Sequence, residues 1–324
     1  MSEKIYPGFD IGGTKIGIGL ISESGKFIAG ERIDNVNTKP EDILPVLVST
    51  LKKMIAENNI NPADIPSFGV STPGPADIPN GIITAPPNNP YWRNVPLLKY
   101  LEDNLQMKGY FENDANAAAI AEGYFGAGKG TKDYIYLTMS TGIGAGIVTN
   151  GTLVQGTGFY GGEFGHTILH RNGRQCNCGL KGCYEAYCGG RAVADDLRRK
   201  LADKPESRIM QIAGSAENID MKALAQAVRE NDPFAVEYWD EMIQNNAQAM
   251  GSLINIMNPA KLILGTFVWA TGDLFLAPLK KYIVDYAWKE MLDQCDIVPS
   301  LLRQDIGYYA GSAVALYNTE KNTK

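Results

Sequence analysis

Asp10-Ile11-Gly12-Gly13-Thr14-Lys15 joins two short segments of strand-like alternation, Tyr6 to Phe9 and Lys15 to Ile21. A second stretch, Ser140-Thr141-Gly142-Ile143-Gly144-Ala145-Gly146, sits in the same way between the apolar runs Tyr134 to Met139 and Ile147 to Thr149. Each is a strand, a Gly turn and a strand. The recurrence predicts an α/β protein of two related lobes with a cleft between them. The first turn is not a Walker P-loop, because no Gly stands five residues before a Gly-Lys-Ser/Thr. Glycines between strands can still aim backbone N–H groups at a phosphate. Gly12, Gly13, Thr14 and Lys15 are the candidates at the first turn, Thr141 and Gly142 at the second. Asp10, at the end of the first strand, could hold a water on Mg2+. Alone, such a turn reads equally as an ordinary β-hairpin. Two of them suggest a pair of jaws on one polyphosphate.

Outward from the turns, Lys26 to Ile33 is a further strand, and Ile43, Leu44, Leu47, Val48, Leu51, Met54 and Ile55 fall at helical spacing within Glu41 to Asn58. Ser67 to Ser71 reads as a buried strand, and Thr72 to Pro90, rich in Pro, Gly and Asn, reads as a loop with a short hairpin. The strand Gly109 to Asn113 gives way to a helix over Asp114 to Phe125. In α/β sheets the carboxyl ends of strands line the ligand crevice. Asp114 is therefore either a helix cap or a general base beside a substrate hydroxyl, with Asn113 orienting a neighbouring group. The second half is mostly helical, with helices expected over Tyr187 to Leu201, Met221 to Glu230 and Phe234 to Met257, and a short strand at Leu262 to Leu264. Gly307 to Tyr317 reads as a small-residue helix.

The length of 324 residues suits roughly two domains of ~150 residues each. Thirty basic against thirty-six acidic side chains give a net charge of −6, which argues against binding nucleic acid by phosphate neutralisation. No apolar run approaches the ~20 residues that cross a bilayer. Asp10 and Gly12-Gly13 interrupt the N-terminal segment too early for a signal peptide. A soluble, cytoplasmic chain without membrane partners is expected.

Four of the five cysteines, Cys176, Cys178, Cys183 and Cys188, crowd into thirteen residues, which suits metal binding better than a disulfide framework. Three thiolates and one imidazole complete a tetrahedral Zn2+ shell, and Cys176, Cys178, Cys183 and His166 supply that count. Such a shell is closed, so the zinc would be structural. His170 in place of His166, or Cys188 in an all-cysteine site, are the alternatives.

Asp10 to Lys15, Asn113-Asp114, the Thr141 to Gly146 turn, Glu163-Phe164-Gly165-His166 and the run from Cys176 to Glu185, in this order, resemble the ROK family of sugar kinases and sugar-responsive repressors. The resemblance covers nearly the whole chain. It implies a two-lobed actin-like ATPase fold of the ribonuclease-H type, MgATP as phosphoryl donor and a hexose as acceptor. On this pattern residues 1–113 with 304–324 form a small lobe, and 114–303 a large lobe carrying the zinc-binding loop. The family motif makes Asp114 the base that takes the proton from the sugar's 6-hydroxyl. It makes Asn113, Glu163, His166 and Glu185, with the backbone at Gly74, the sugar-binding set. It also makes His166 the histidine ligand of the zinc and leaves Cys188 spare. The family usually shows a Gly-Gly pair after the Leu262 to Leu264 strand, where this chain has Gly265-Thr266-Phe267.

Phosphorylation of a glucose-like hexose at O6 is the leading expectation. N-acetylmannosamine and N-acetylglucosamine are alternative acceptors. A sugar-sensing regulator is an alternative of another class, disfavoured because only nine residues precede Asp10. The resemblance favours a homodimer or larger homo-oligomer.

Overall fold

The computed structural model of the chain describes residues 3–86 and 90–323. Residues 87–89 of the expected Pro/Gly/Asn loop lie outside that range. The first half contains β1 (Ile5–Ile11), β2 (Lys15–Ser22), β3 (Phe27–Asp34), β4 (Phe68–Thr72), a short hairpin of β5 (Ala76–Asp77) and β6 (Ile82–Ile83), and β7 (Gly109–Asn113). Five of them form a sheet in the order β3-β2-β1-β4-β7. β1, β2 and β3 pair antiparallel, whereas β1, β4 and β7 run parallel.

β1, β2 and β4 are buried along nearly their whole length, so their apolar residues run on both faces instead of alternating. The C-terminal helix, Ile306–Thr323, packs against this sheet and extends beyond the Gly307 to Tyr317 segment expected from small residues. Glycine makes the approach possible: a Cβ at Gly69 would fall on the Gly311 carbonyl, and one at Gly8 on the Ser312 amide. The helix Pro40–Glu57 buries Ile43, Leu44, Leu47, Val48, Leu51 and Met54, the stripe that its spacing requires.

The second half contains β8 (Tyr134–Met139), β9 (Ile143–Thr149), β10 (Thr152–Leu153), β11 (Lys261–Leu264) and β12 (Asp296–Pro299), in the order β10-β9-β8-β11-β12. The directions repeat those of the first sheet: β8, β9 and β10 antiparallel, β8, β11 and β12 parallel. Gly144 and Gly146 pair with Thr138 and Tyr136, so the turn expected to reach Gly146 closes at Gly142 and the strand begins at Ile143. The helix expected over Tyr187 to Leu201 is two pieces, Glu185–Cys188 and Gly190–Lys200, because Gly189 adopts an extended conformation. The long helix Pro233–Met257 starts where Asp232 accepts from the Ala235 amide at 2.8 Å and buries Trp239, Met242, Ile243 and Met250 in this half's core.

The chain packs as two compact units, Met1–Gly130 with Leu301–Lys324, and Thr131–Ser300. The helix Asp114–Phe125 packs on the C-terminal helix inside the first unit, so the division falls after this helix and not at Asn113. Each unit carries one sheet of the ribonuclease-H-type order, the hallmark of the actin-like ATPase fold. No helix among the described residues is long and apolar enough to cross a membrane.

Candidate active site

In the first unit, parallel pairing draws the carboxyl ends of three strands together: Asp10 pairs with Ser71, and Thr72 with Asn113. The Ser71 hydroxyl donates to Asp10 Oδ1 at 2.7 Å. Burial raises the Asp10 carboxyl to about 7; Ser71's donation opposes the rise, and the charge of Asp114 adds to it. Two carboxylates close enough to repel suit a place where a cation or a proton is handled.

Asp114 is exposed and is the first residue of its helix. The cap itself is Asn113, whose Oδ1 accepts from the Ala115 amide at 3.0 Å, while Asp114 Oδ1 accepts from the same amide at 2.8 Å. Asn113 Nδ2 lies 3.8 Å from where a Cβ on Gly74 would stand, so Gly74 and Asn113 are neighbours. Beneath them the buried Glu112 accepts from the Asn113 amide at 2.9 Å and from Asn116 Nδ2 at 3.0 Å. The turn itself is closed by the Gly12 amide donating to the Lys15 carbonyl at 2.9 Å, with Gly13 half-buried and Thr14 and Lys15 exposed.

In the second unit, the Ser140 amide donates to the Gly142 carbonyl at 3.0 Å, and the Gly190 and Arg191 amides donate to the carbonyls of Ser140 and Thr141. Thr141 is exposed. The Glu185 carboxylate accepts from the Ile143 amide at 2.7 Å, so the expected sugar ligand is also a fastening of this turn.

His166, Cys176, Cys178 and Cys183 present one donor atom each, all within 4.8 Å of one another. Cys178 and Cys183 Sγ are 3.6 Å apart, and His166 Nδ1 is 3.7 Å from Cys176 Sγ. A tetrahedron with metal–sulfur bonds of ~2.3 Å has edges of about 3.8 Å, so these donors fit one small divalent ion. Burial pushes the Cys183 thiol up to about 12, with the neighbouring Cys178 and Cys176 thiols adding to the shift. A bound cation would reverse that preference by favouring thiolates.

The two rival ligands stand elsewhere. His170 Nε2 is 2.8 Å from Asn245 Oδ1, and its ring packs edge-on against Tyr187. Cys188 is fully buried, its thiol directed at the Met242 carbonyl. With Nδ1 facing the thiols, His166 presents Nε2 on its other side, 3.9 Å from Glu163 Oε2. Tyr184 anchors the whole loop: it is buried, packs against Phe164 and donates its hydroxyl to Asn246.

The expected residues therefore gather as two sets. One comprises Asp10, the Gly12 to Lys15 turn, Gly74, Asn113 and Asp114. The other comprises Thr141, Gly142, Glu163, His166, the three cysteines and Glu185. Sequence reading missed Ser71 and Glu112, although a polar residue at the end of a buried strand beside Asp10 was a signal for the first. At the departure from the family pattern, Thr266 adopts φ 50°, a left-handed conformation that a β-branched residue rarely takes.

The ROK family model matches residues 6–318. A glucokinase of Thermotoga maritima is 35% identical, the match covering 95% of this chain and 96% of that one. Among solved structures, a ROK hexokinase from Thermus thermophilus superposes with a TM-score of 0.84 at 27% identity, covering 98% of this chain and 99% of the other. A ROK family glucokinase from Streptomyces griseus, solved in complex with glucose and AMPPNP, gives 0.78 at 29% identity, covering 96% and 99%.

Proposed function

The chain belongs to the ROK family, and we propose that it is an ATP-dependent hexose kinase that phosphorylates glucose at the 6-hydroxyl. The observation that carries this reading is the meeting of Asp10, Ser71, Asn113 and Asp114 at the carboxyl ends of adjacent parallel strands. The likeness to the Thermotoga and Streptomyces glucokinases supports glucose as acceptor.

Phosphoryl transfer needs little covalent help, so positioning and charge neutralisation supply most of the rate. Asp114, exposed at its helix start, takes the proton from the sugar's 6-hydroxyl as that oxygen bonds to the γ-phosphorus and the bond to ADP breaks. Asn113 keeps its Nδ2 to donate to a neighbouring hydroxyl, because its Oδ1 is already used as the helix cap. Glu163, His166 and Glu185, with the backbone at Gly74, hold the remaining hydroxyls. The Gly12 to Lys15 and Thr141-Gly142 turns grip the phosphates through backbone amides, with Thr14 and Lys15 adding a hydroxyl and a charge. Asp10 would hold, through water, the Mg2+ that accompanies ATP and would offset phosphate charge.

Zinc is the ion proposed for His166, Cys176, Cys178 and Cys183. These four residues would fill all the positions of a tetrahedral ion, which would then brace the loop that carries Glu163 and Glu185 and leave no open position for chemistry. With Nδ1 committed to a metal, the neutral His166 ring would carry its proton on Nε2, which could donate to a sugar hydroxyl.

A panel of glucose, mannose, N-acetylglucosamine and N-acetylmannosamine, scored by sugar-dependent ADP release, tests the assignment. Glucose is expected to give the highest kcat/KM. A higher value for either N-acetylated sugar would move the substrate, and no sugar-dependent release at all would overturn the kinase reading.

A further inference from the structure

Asn35 stands one residue beyond β3 and is buried, with 1% of its surface exposed. Its backbone amide donates to the Thr14 carbonyl at 2.8 Å, and its side-chain Nδ2 donates to the Gly12 carbonyl at 2.8 Å. One residue thus ties both ends of the Gly12-Gly13-Thr14 segment. Among the described residues its Oδ1 is buried without a hydrogen-bond partner, an arrangement that apolar packing alone would not select. Swapping the two amide atoms would set oxygen against the Gly12 oxygen, so the Gly12 carbonyl dictates the orientation.

In a planar trans peptide the C=O and the following N–H point in opposite directions. Holding the Gly12 carbonyl toward Asn35 turns the Gly13 amide away from it, and holding the Thr14 carbonyl turns the Lys15 amide away. Two glycines in succession would otherwise let these peptide planes rotate freely. The segment that follows is fixed as well, since the buried Trp92 donates its indole N–H to the Thr38 carbonyl at 3.1 Å. We infer that Asn35 is a positioning residue for the nucleotide: it pre-sets the amides of the first Gly turn in the orientation that receives phosphate oxygens. This rests on the reading of that turn as a phosphate grip.

Steady-state kinetics of Asn35→Ala and Asn35→Ser, beside Lys15→Ala, separate the two claims. Removing one neutral hydrogen bond that orders a binding loop is expected to raise the KM for ATP by about five- to tenfold in Asn35→Ala. The KM for glucose should stay within about twofold. Asn35→Ser keeps a side-chain donor and is expected to recover part of the loss, and it serves as the test variant if Asn35→Ala does not fold. A merely structural role would lower the thermal midpoint without separating the two KM values, and that result overturns the inference. If Lys15→Ala raises the ATP KM while both Asn35 variants leave it unchanged, the inference alone fails. If none of the three variants moves it, the phosphate reading of the turn fails with it.

Discussion

The two Gly turns hold the same place in two sheets of the same strand order, after the first strand of each, yet they are fastened differently. The first is tied by Asn35, through one backbone and one side-chain hydrogen bond, and Asn35 has no other role in the proposed chemistry. The second is tied by the amides of Gly190 and Arg191 and by the carboxylate of Glu185, a residue also assigned to the sugar. Repetition of topology thus reproduces a turn but not the side chains that stiffen it. In the first unit the proposed phosphate turn and the proposed catalytic carboxylate are held by separate groups. In the second, the carboxylate that fastens the turn is also the one proposed for the sugar, and it follows the loop of the candidate metal donors.

The largest expected effect isolates the first unit. Asp114→Asn should lower turnover by at least ~10²-fold, the usual scale for loss of a general base, while glucose affinity measured by calorimetry stays near that of the wild type. Near-normal turnover would remove Asp114 from the chemistry.

Cys178→Ser probes the second unit in the same way. Elemental analysis should find about one zinc per chain in metal-replete wild type and markedly less in the variant, with a weakened glucose affinity, because the loop bearing Glu163 and Glu185 loses its brace. Metal-replete wild type without zinc would contradict the assignment.

Glu185 sharpens the contrast between the two fastenings. Glu185→Ala should raise the KM for both glucose and ATP, each by roughly tenfold, because the Ile143 amide loses its acceptor along with the sugar. Glu185→Gln keeps an acceptor oxygen and should spare ATP while still weakening glucose. Equal losses in both variants would show that the turn does not depend on this bond.

The smallest effect is one of stability. The Asp10 carboxyl is raised to about 7 in the folded chain, so between about 4 and 7 the folded state holds a proton that the unfolded state has lost. Wild-type stability therefore falls as pH climbs through that window. Asp10→Asn, which is neutral and can still accept from Ser71, should melt about 2–4 °C above the wild type at pH 8 without ligands. The gap should narrow as pH falls through that window and close only below about pH 4, where the carboxyl is protonated in both the folded and the unfolded chain. A pH-independent gap would assign the gain to packing instead of charge.

What could be read from sequence follows from how local each signal is. The strand, turn and strand echo, the stripe in Pro40–Glu57 and the Asp114–Phe125 helix depend on neighbours a few residues apart, and their periodicity carries them. The four candidate metal donors cluster along the chain as they do in space. By contrast, Asn35 meets Gly12 across 23 residues and Glu185 meets Ile143 across 42, and no local pattern marks either partner. Gly189 looks innocuous within a helical stretch, and the break there frees the Gly190 and Arg191 amides to donate to the Ser140 and Thr141 carbonyls of the turn. Strand β12 was missed because four residues with Asp and Pro at their ends show no alternation. The division after Gly130 was missed for a related reason: a helix beginning at Asp114 belongs with whatever it packs on, here the far C-terminal helix.

Phosphorus NMR of the complete reaction tests the central claim most directly. With ATP and glucose, a single new phosphomonoester at O6 should grow in step with ADP, and 6-deoxyglucose should yield neither ester nor ADP above background. ADP forming equally well with 6-deoxyglucose, or an ester on another oxygen, would contradict the account.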